Sequence, residues 1–331
     1  MFLAFALLIF GFVILILGGD LMVRGAAAIA RHWGVPALIV GLTIVAFGTS
    51  APELVVGVQS VLKGAGELAA GNVIGSNIAN VLLALGIPAL IMAIPTNMTG
   101  VARNTLVCLF ATILFIVLAF IAKFTSNSEL IFWQGAILFA GIVLYLAWMF
   151  RLSKAGIHDP ILDEMTEIEE GEDGLPANVW VSFFYVIVGI VGLVIGGKLI
   201  VDNAVLIAGT MGISETIIGL TIVAIGTSLP EIATVVVASY RGHSEVAIGN
   251  VLGSNVFNLF AVMGATAMTG PVPIEKELLT FDVWVMLASS TALLIFVLTR
   301  QPIGKKTGVI FLIGYVPVSY THLTLPTIYS V

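Results

Sequence analysis

Charge is what this sequence mostly lacks. Asp, Glu, Lys and Arg make up 10% of its 331 residues, against about 25% in ordinary soluble proteins, which excludes a fully solvated globular surface. One cysteine, Cys108, rules out any disulfide within the chain and reads as a small core residue, because it sits in an apolar run. Four histidines, at 32, 158, 243 and 322, share no metal-ligand spacing and read as loop residues. There is no HExxH, no pair of aspartates within the spans and no Ser–His combination there, so the expectation is not an enzyme. The short alternating segments of an outer-membrane barrel are missing as well.

What is abundant is apolar: 59% of the residues, with a mean hydropathy of +1.14. Runs near 20 residues long match the roughly 30 Å of hydrocarbon in a bilayer, and 35 glycines suit closely packed membrane helices. The spacing predicts ten spans: 2–18, 36–62, 69–94, 102–122, 130–149, 179–197, 214–240, 246–270, 280–299 and 307–320. The first run has neither a basic start nor a small-residue cleavage site, so it counts as a helix and not as a signal peptide. The fold class expected is an all-α polytopic membrane protein.

Sliding the chain by 178 residues superimposes it on itself. Over 41–86 against 219–264 there are 23 identities in 46 positions, without a gap, far beyond coincidence. Five spans per half is an odd number, so the second half enters the membrane upside down, giving ten helices as two inverted five-helix repeats. Such an arrangement is a transporter architecture, with its site near the midplane. The domains expected are residues 1–150, a linker 151–178 and residues 179–331. The linker carries eight acidic residues and no calcium-binding helix–loop–helix pattern, and it reads as solvated. Nine Lys and Arg fall on the linker side and four on the other, which predicts a cytoplasmic linker with both termini outside. The last residues, 319–331, differ in style from the rest and carry Pro326; with Pro317 they should interrupt the tenth helix, and they read as a non-native tail.

The repeat preserves two phrases. GLTIVAFGTSAPE at 41–53 returns as GLTIVAIGTSLPE at 219–231. Pro52 and Pro230 each remove a backbone N–H and displace the carbonyl four residues earlier, which predicts a kink or break and freed carbonyls over Ala46–Thr49 and Ala224–Thr227. Glu53 and Glu231 are dearer still, at least about 2.5–3.5 kcal/mol each at mid-membrane. Brought together by inverted symmetry, two carboxylates repel unless protons or a cation neutralise them. Many hard oxygens without thiolate or imidazole suit Ca2+, which takes about 6–8 of them. The second phrase is GNVIGSNIAN at 71–80 and GNVLGSNVFN at 249–258. Asn72, Ser76 and Asn80, and likewise Asn250, Ser254 and Asn258, line one face of a helix, with Asn77 and Asn255 one residue off it. Such neutral oxygens beside two acids could hold small monovalent cations.

These paired motifs resemble the α-repeats of the cation/calcium exchanger superfamily, in its bacterial and archaeal sodium/calcium exchanger branch, and the resemblance covers all ten predicted spans. It implies an antiporter of the prokaryotic inner membrane that extrudes Ca2+ against Na+, monomeric in the lipid bilayer, with no cofactor and no nucleic acid. It implies Ca2+ ligands at Glu53 and Glu231 with the carbonyls of Thr49 and Thr227. It implies Na+ ligands at Ser50, Ser76, Ser228 and Ser254 with the carbonyls of Ala46 and Ala224, and a central polar pair at Asn80 and Asn258. Some members carry Asp where Asn258 stands; in one branch that Asp goes with potassium dependence, so Asn258 leans against K+. The nearest alternative is a Ca2+/H+ antiporter, since carboxylates can carry protons; the Pro-Glu form of the first motif favours Na+. A channel fits inverted repeats less well.

Overall fold

In lipid a backbone amide finds no water, so an apolar chain satisfies itself as helix. The computed structural model describes residues 2–34, 37–64, 66–98, 100–154, 176, 178–211, 226, 228–276 and 278–328. In these residues the main helices are α1 (Phe2–Trp33), α2 (Gly41–Leu62), α3 (Gly66–Ala89), α4 (Val101–Thr125), α5 (Phe132–Lys154), α6 (Val179–Thr210), α7 (Leu229–Tyr240), α8 (Ser244–Thr269), α9 (Leu278–Leu298) and α10 (Lys305–Ile328). Eight of them are long and apolar enough to cross a bilayer, and α7 is a shorter apolar helix. The chain is an all-α, multi-pass membrane protein.

Several boundaries differ from expectation. The runs 2–18 and 179–197 end at glycine pairs followed by Asp20 and Lys198, yet α1 and α6 are 32 residues each, about 48 Å at 1.5 Å per residue. Hydropathy sees only the part of a helix that faces lipid; hydrogen bonds carry the rest past the charges. Pro52 does not break α2, which is regular α-helix over Ala46–Leu62 with the proline inside it. The distortion comes two to three turns earlier, in a wide π-helical turn over Gly41–Val45. Pro317 and Pro326 do not interrupt α10, because a helix in lipid loses one amide at a proline but has no better place for the others. The helix α5 runs to Lys154, four residues into the expected linker. Residues 155–175 and 177 lie outside the described residues, as do 212–225, the start of the predicted span 214–240.

The longest interface is α1 against α6. Gly11, Gly18 and Gly25 recur every seven residues on α1. They meet Gly196, then Gly189 with Gly192, then Ser182 on α6, so the helices run antiparallel. The approach is backbone to backbone. A methyl group on Gly18 would fall 2.8 Å from Leu193 N, and one on Gly196 would fall 2.6 Å from Leu15 N. Shifting 11 and 18 by 178 gives 189 and 196, so the pair Gly11·Gly196 maps onto Gly189·Gly18. The other loops sort into two groups. Ile94, before α4, bridges to Ile303, and Asp20 and Arg24 form an ion-pair cluster with Arg241. At the far end of α4, β1 (Glu129–Leu130) pairs antiparallel with β2 (Val272–Pro273). The most enclosed helices are α8 and then α3, and these two carry the second repeated phrase.

Candidate ion-binding site

Four helices meet around the two glutamates. On α2, Thr49, Ser50 and Glu53 are all buried; Ser50 and Glu53 are three residues apart and so share a face. The helix α7 begins just after Ser228, which has φ −90° and ψ 3°, and puts Pro230 in its first turn and buried Glu231 beside it. The prolines therefore act differently: one is inside a helix, the other near a helix start. On α3 and α8, Asn80 and Asn258 each open a π-helical turn, Asn80–Ala84 and Asn258–Val262, which lets a side chain leave the regular helical register.

Hydrogen bonds join these helices into a closed ring, and every link crosses between the halves of the sequence. Thr49 Oγ1 donates to Asn250 Oδ1 at 3.2 Å and lies 3.3 Å from Ser254 Oγ, joining α2 to α8. Asn80 Nδ2 donates to Asn255 Oδ1 at 3.0 Å, and Asn255 Nδ2 to the Asn77 carbonyl at 3.3 Å, joining α8 to α3. Ser228 Oγ donates to Ser76 Oγ at 3.4 Å, joining α3 to the start of α7. Ser50 Oγ donates to Glu231 Oε1 at 3.3 Å, closing the ring from α2 to α7.

Inside the ring, oxygens stand without protein partners. Glu53 and Glu231 are each 1% exposed, and Ser50, on the same face of α2 as Glu53, reaches Glu231. Both carboxylate oxygens of Glu53, Oε2 of Glu231, and Oδ1 of Asn77, Asn80 and Asn258 have no hydrogen-bond partner among the described residues. Burying one such oxygen unpaired is costly, and burying a charge more so. A cation or protons would remove that cost. Among the described residues no cluster of three or more His, Cys, Asp and Glu occurs. Two carboxylates with neutral amide and hydroxyl oxygens suit hard cations better than transition metals.

The structure brings together Glu53, Glu231, Thr49, Ser50, Ser76, Ser228, Ser254, Asn80 and Asn258, all of them buried. Thr227 and Ala224 lie outside the described residues. The carbonyls of Ala46 and Thr49 belong to the regular part of α2, and Ala46 O accepts the Thr49 hydroxyl at 3.3 Å; what Thr49 turns toward α8 is its hydroxyl. Three further residues join the site. Asn250 was legible as a member of the polar face. Asn77 and Asn255 stood one position off it, and only the repeated Gly-Ser-Asn triplet pointed to them.

A family model for the sodium/calcium exchanger protein matches residues 3–151 and 181–323. The sodium/calcium exchanger MaX1 of Methanosarcina acetivorans is 32% identical over 336 residues, covering 94% of this chain and 96% of the relative. Inner membrane protein YrbG of Escherichia coli is 33% identical over 322 residues, covering 96% and 95%. Among solved structures, the sodium-calcium exchanger NCX_Mj soaked with zero Na+ and Ca2+ superimposes with a TM-score of 0.79 at 28% identity, covering 97% of this chain and 99% of that one.

Proposed function

The chain belongs to the sodium/calcium exchanger protein family, in its prokaryotic branch, and on that footing we propose that it exchanges Na+ for Ca2+ as a secondary antiporter working by alternating access. The observation that carries this is the pair of buried glutamates, with three of their four oxygens unpartnered among the described residues, inside a ring whose links join one half to the other. Glu53 and Glu231 are the Ca2+ ligands. Thr49 and Thr227 complete that site; Ser50, Ser76, Ser228, Ser254, Asn80 and Asn258, with the carbonyls of Ala46 and Ala224, serve Na+ and the central polar position.

Charge supplies the mechanism. One Ca2+ neutralises two carboxylates, whereas three Na+ leave one net positive charge. An exchange of about three Na+ for one Ca2+ therefore moves one charge, worth ~2.3 kcal/mol per 100 mV, and draws on the membrane potential as well as the Na+ gradient. Antiport requires only that the two ion sets compete for the same glutamates. The empty, doubly negative cavity crosses poorly, which suppresses leak. The exchanged pairs Gly11·Gly196 and Gly18·Gly189 favour two inverted five-helix repeats, residues 1–150 and 179–331, around the linker 151–178. The α1–α6 glycine seam, where backbone approaches backbone at Gly11, Gly18 and Gly25, suits a pair of helices that slides past the site. The protein resides in the prokaryotic inner membrane as a monomer, its linker cytoplasmic and both termini outside.

The test is 45Ca2+ uptake into Na+-loaded proteoliposomes by the wild type, Glu53→Gln and Glu231→Gln. The expected outcome is uptake that needs internal Na+ and drops to background in both variants. Uptake that ignores Na+ and follows a pH gradient would make the protein a proton antiporter, and full uptake in either variant would remove the glutamates from the site.

A further inference from the structure

The two central asparagines occupy equivalent places in the repeat but not equivalent surroundings. Asn80 is pinned: its Nδ2 donates to Asn255 Oδ1 at 3.0 Å, which leaves Oδ1 as its only unpartnered polar atom. Asn255 is itself held at both ends of its amide. Its Oδ1 accepts from Asn80 and its Nδ2 donates to the Asn77 carbonyl, so both of its amide atoms are tied to α3. The mirror arrangement is not made. Asn77, the counterpart of Asn255, turns its Nδ2 back to the Val73 carbonyl of its own helix at 2.7 Å. Asn258, the counterpart of Asn80, is 0% exposed, and neither of its amide atoms has a partner among the described residues.

We propose that Asn255 is a positioning residue for ion binding: it holds the Asn80 amide with its oxygen, not its NH2, offered to the cation, while Asn258 turns with the occupant. A carboxamide free to rotate presents two N–H donors to a cation as readily as one oxygen, so an amide fixed oxygen-first is pre-organised and a free one is not. Fixing one and freeing the other gives a site with one constant and one adaptable neutral ligand. Such a site can serve both a single divalent ion and a set of monovalent ones. This rests on the reading of Glu53 and Glu231 as the ion site.

The experiment measures equilibrium binding of 45Ca2+ and 22Na+ to the purified full chain in detergent, together with exchange in proteoliposomes. Partners that orient a ligand typically change affinity about 10–100-fold, so Asn255→Ala is expected to weaken binding about tenfold with the maximal exchange rate near wild type. In an Asn80→Asp background both terminal atoms are oxygens and there is no wrong face, so adding Asn255→Ala should cost no affinity. If Asn255→Ala fails to fold, Asn255→Ser, whose shorter side chain withdraws the acceptor from Asn80, tests the same contact and should weaken binding in the same direction. Unchanged affinity in Asn255→Ala, or an equal loss in the Asn80→Asp background, would overturn the proposal. Wild-type protein that binds both ions but does not exchange them would count against the antiport reading and leave the positioning result readable.

Discussion

A methyl group on Gly19 would meet Val237 of α7 at 3.3 Å and the Ala233 carbonyl at 3.6 Å, whereas on Gly197, 178 residues later, its nearest neighbour would be Pro230 at 3.9 Å. The first long helix is pressed onto α7; the second stands off at the matching place. Charges follow the same split. Asp20, one residue past Gly19, pairs with Arg241 at the end of α7 and with Arg24. The matching positions are Lys198, Lys63 and Asp202, all exposed, and Lys198 facing Lys63 would repel where Asp20 and Arg241 attract. A duplicated sequence thus repeats its polar side chains and the α1–α6 glycine seam, but not the contacts of those helices with their other neighbours. The site needs equal donors from both halves. The helices beside it cannot be alike at both ends at once if access is to alternate, as proposed here.

The α1–α6 seam is where that comparison breaks most severely. Gly18→Leu places a side chain against the backbone of Gly189, Gly192 and Leu193. The expected loss is about 1–3 kcal/mol or more, since overpacking against backbone has nowhere to relax. Thermal unfolding in detergent reads it directly. Gly304→Ala, with nothing within 4 Å of the added methyl, is the control and should stay within about 0.5 kcal/mol.

Cutting the Asp20–Arg241 pair gives a smaller effect. Its side chains are 22% and 37% exposed, and such pairs contribute about 0.2–1 kcal/mol. Asp20→Asn should therefore shift the balance between the two access states by no more than about fivefold. Apparent Ca2+ affinities measured from the two faces, in vesicles of opposite orientation, would register the shift, and it should shrink at high salt. The smallest effect, and the most telling, is expected for Lys198→Asp. It puts an acid at the counterpart of Asp20 and should move the same ratio the other way by less, since position 198 is exposed. A shift in the same direction as Asp20→Asn would mean that these charges do not separate the halves.

Much of the site was readable in advance because it is written twice. A carboxylate after Pro in an apolar run is conspicuous once, and at the same offset in both halves it marks a shared centre. The four-residue spacing of Asn and Ser was equally plain. Asn255 was not readable as a brace, because its role depends on Asn80 and the Asn77 carbonyl of α3, and neither stands near it in sequence. Span ends were misread at Gly18-Gly19 and Gly196-Gly197 for a different reason: hydropathy measures contact with lipid, and the charged ends of α1 and α6 are helical without it. The Pro52 break was misplaced because the repeated glycine at 41, and not the proline, marks where the helix widens.

By itself the sequence determined that this chain is a bundle of membrane helices, that it is a duplication, and that two glutamates with a set of small polar oxygens belong together. These follow from composition, period and repetition, which need no neighbour to be evaluated. Only the tertiary structure decided which helices form the ring, that every link in it crosses between halves, and which of two equal asparagines is held. Hydrogen bonds and backbone contacts reach only a few ångströms, so two copies of one phrase become different parts as soon as different residues are packed against them.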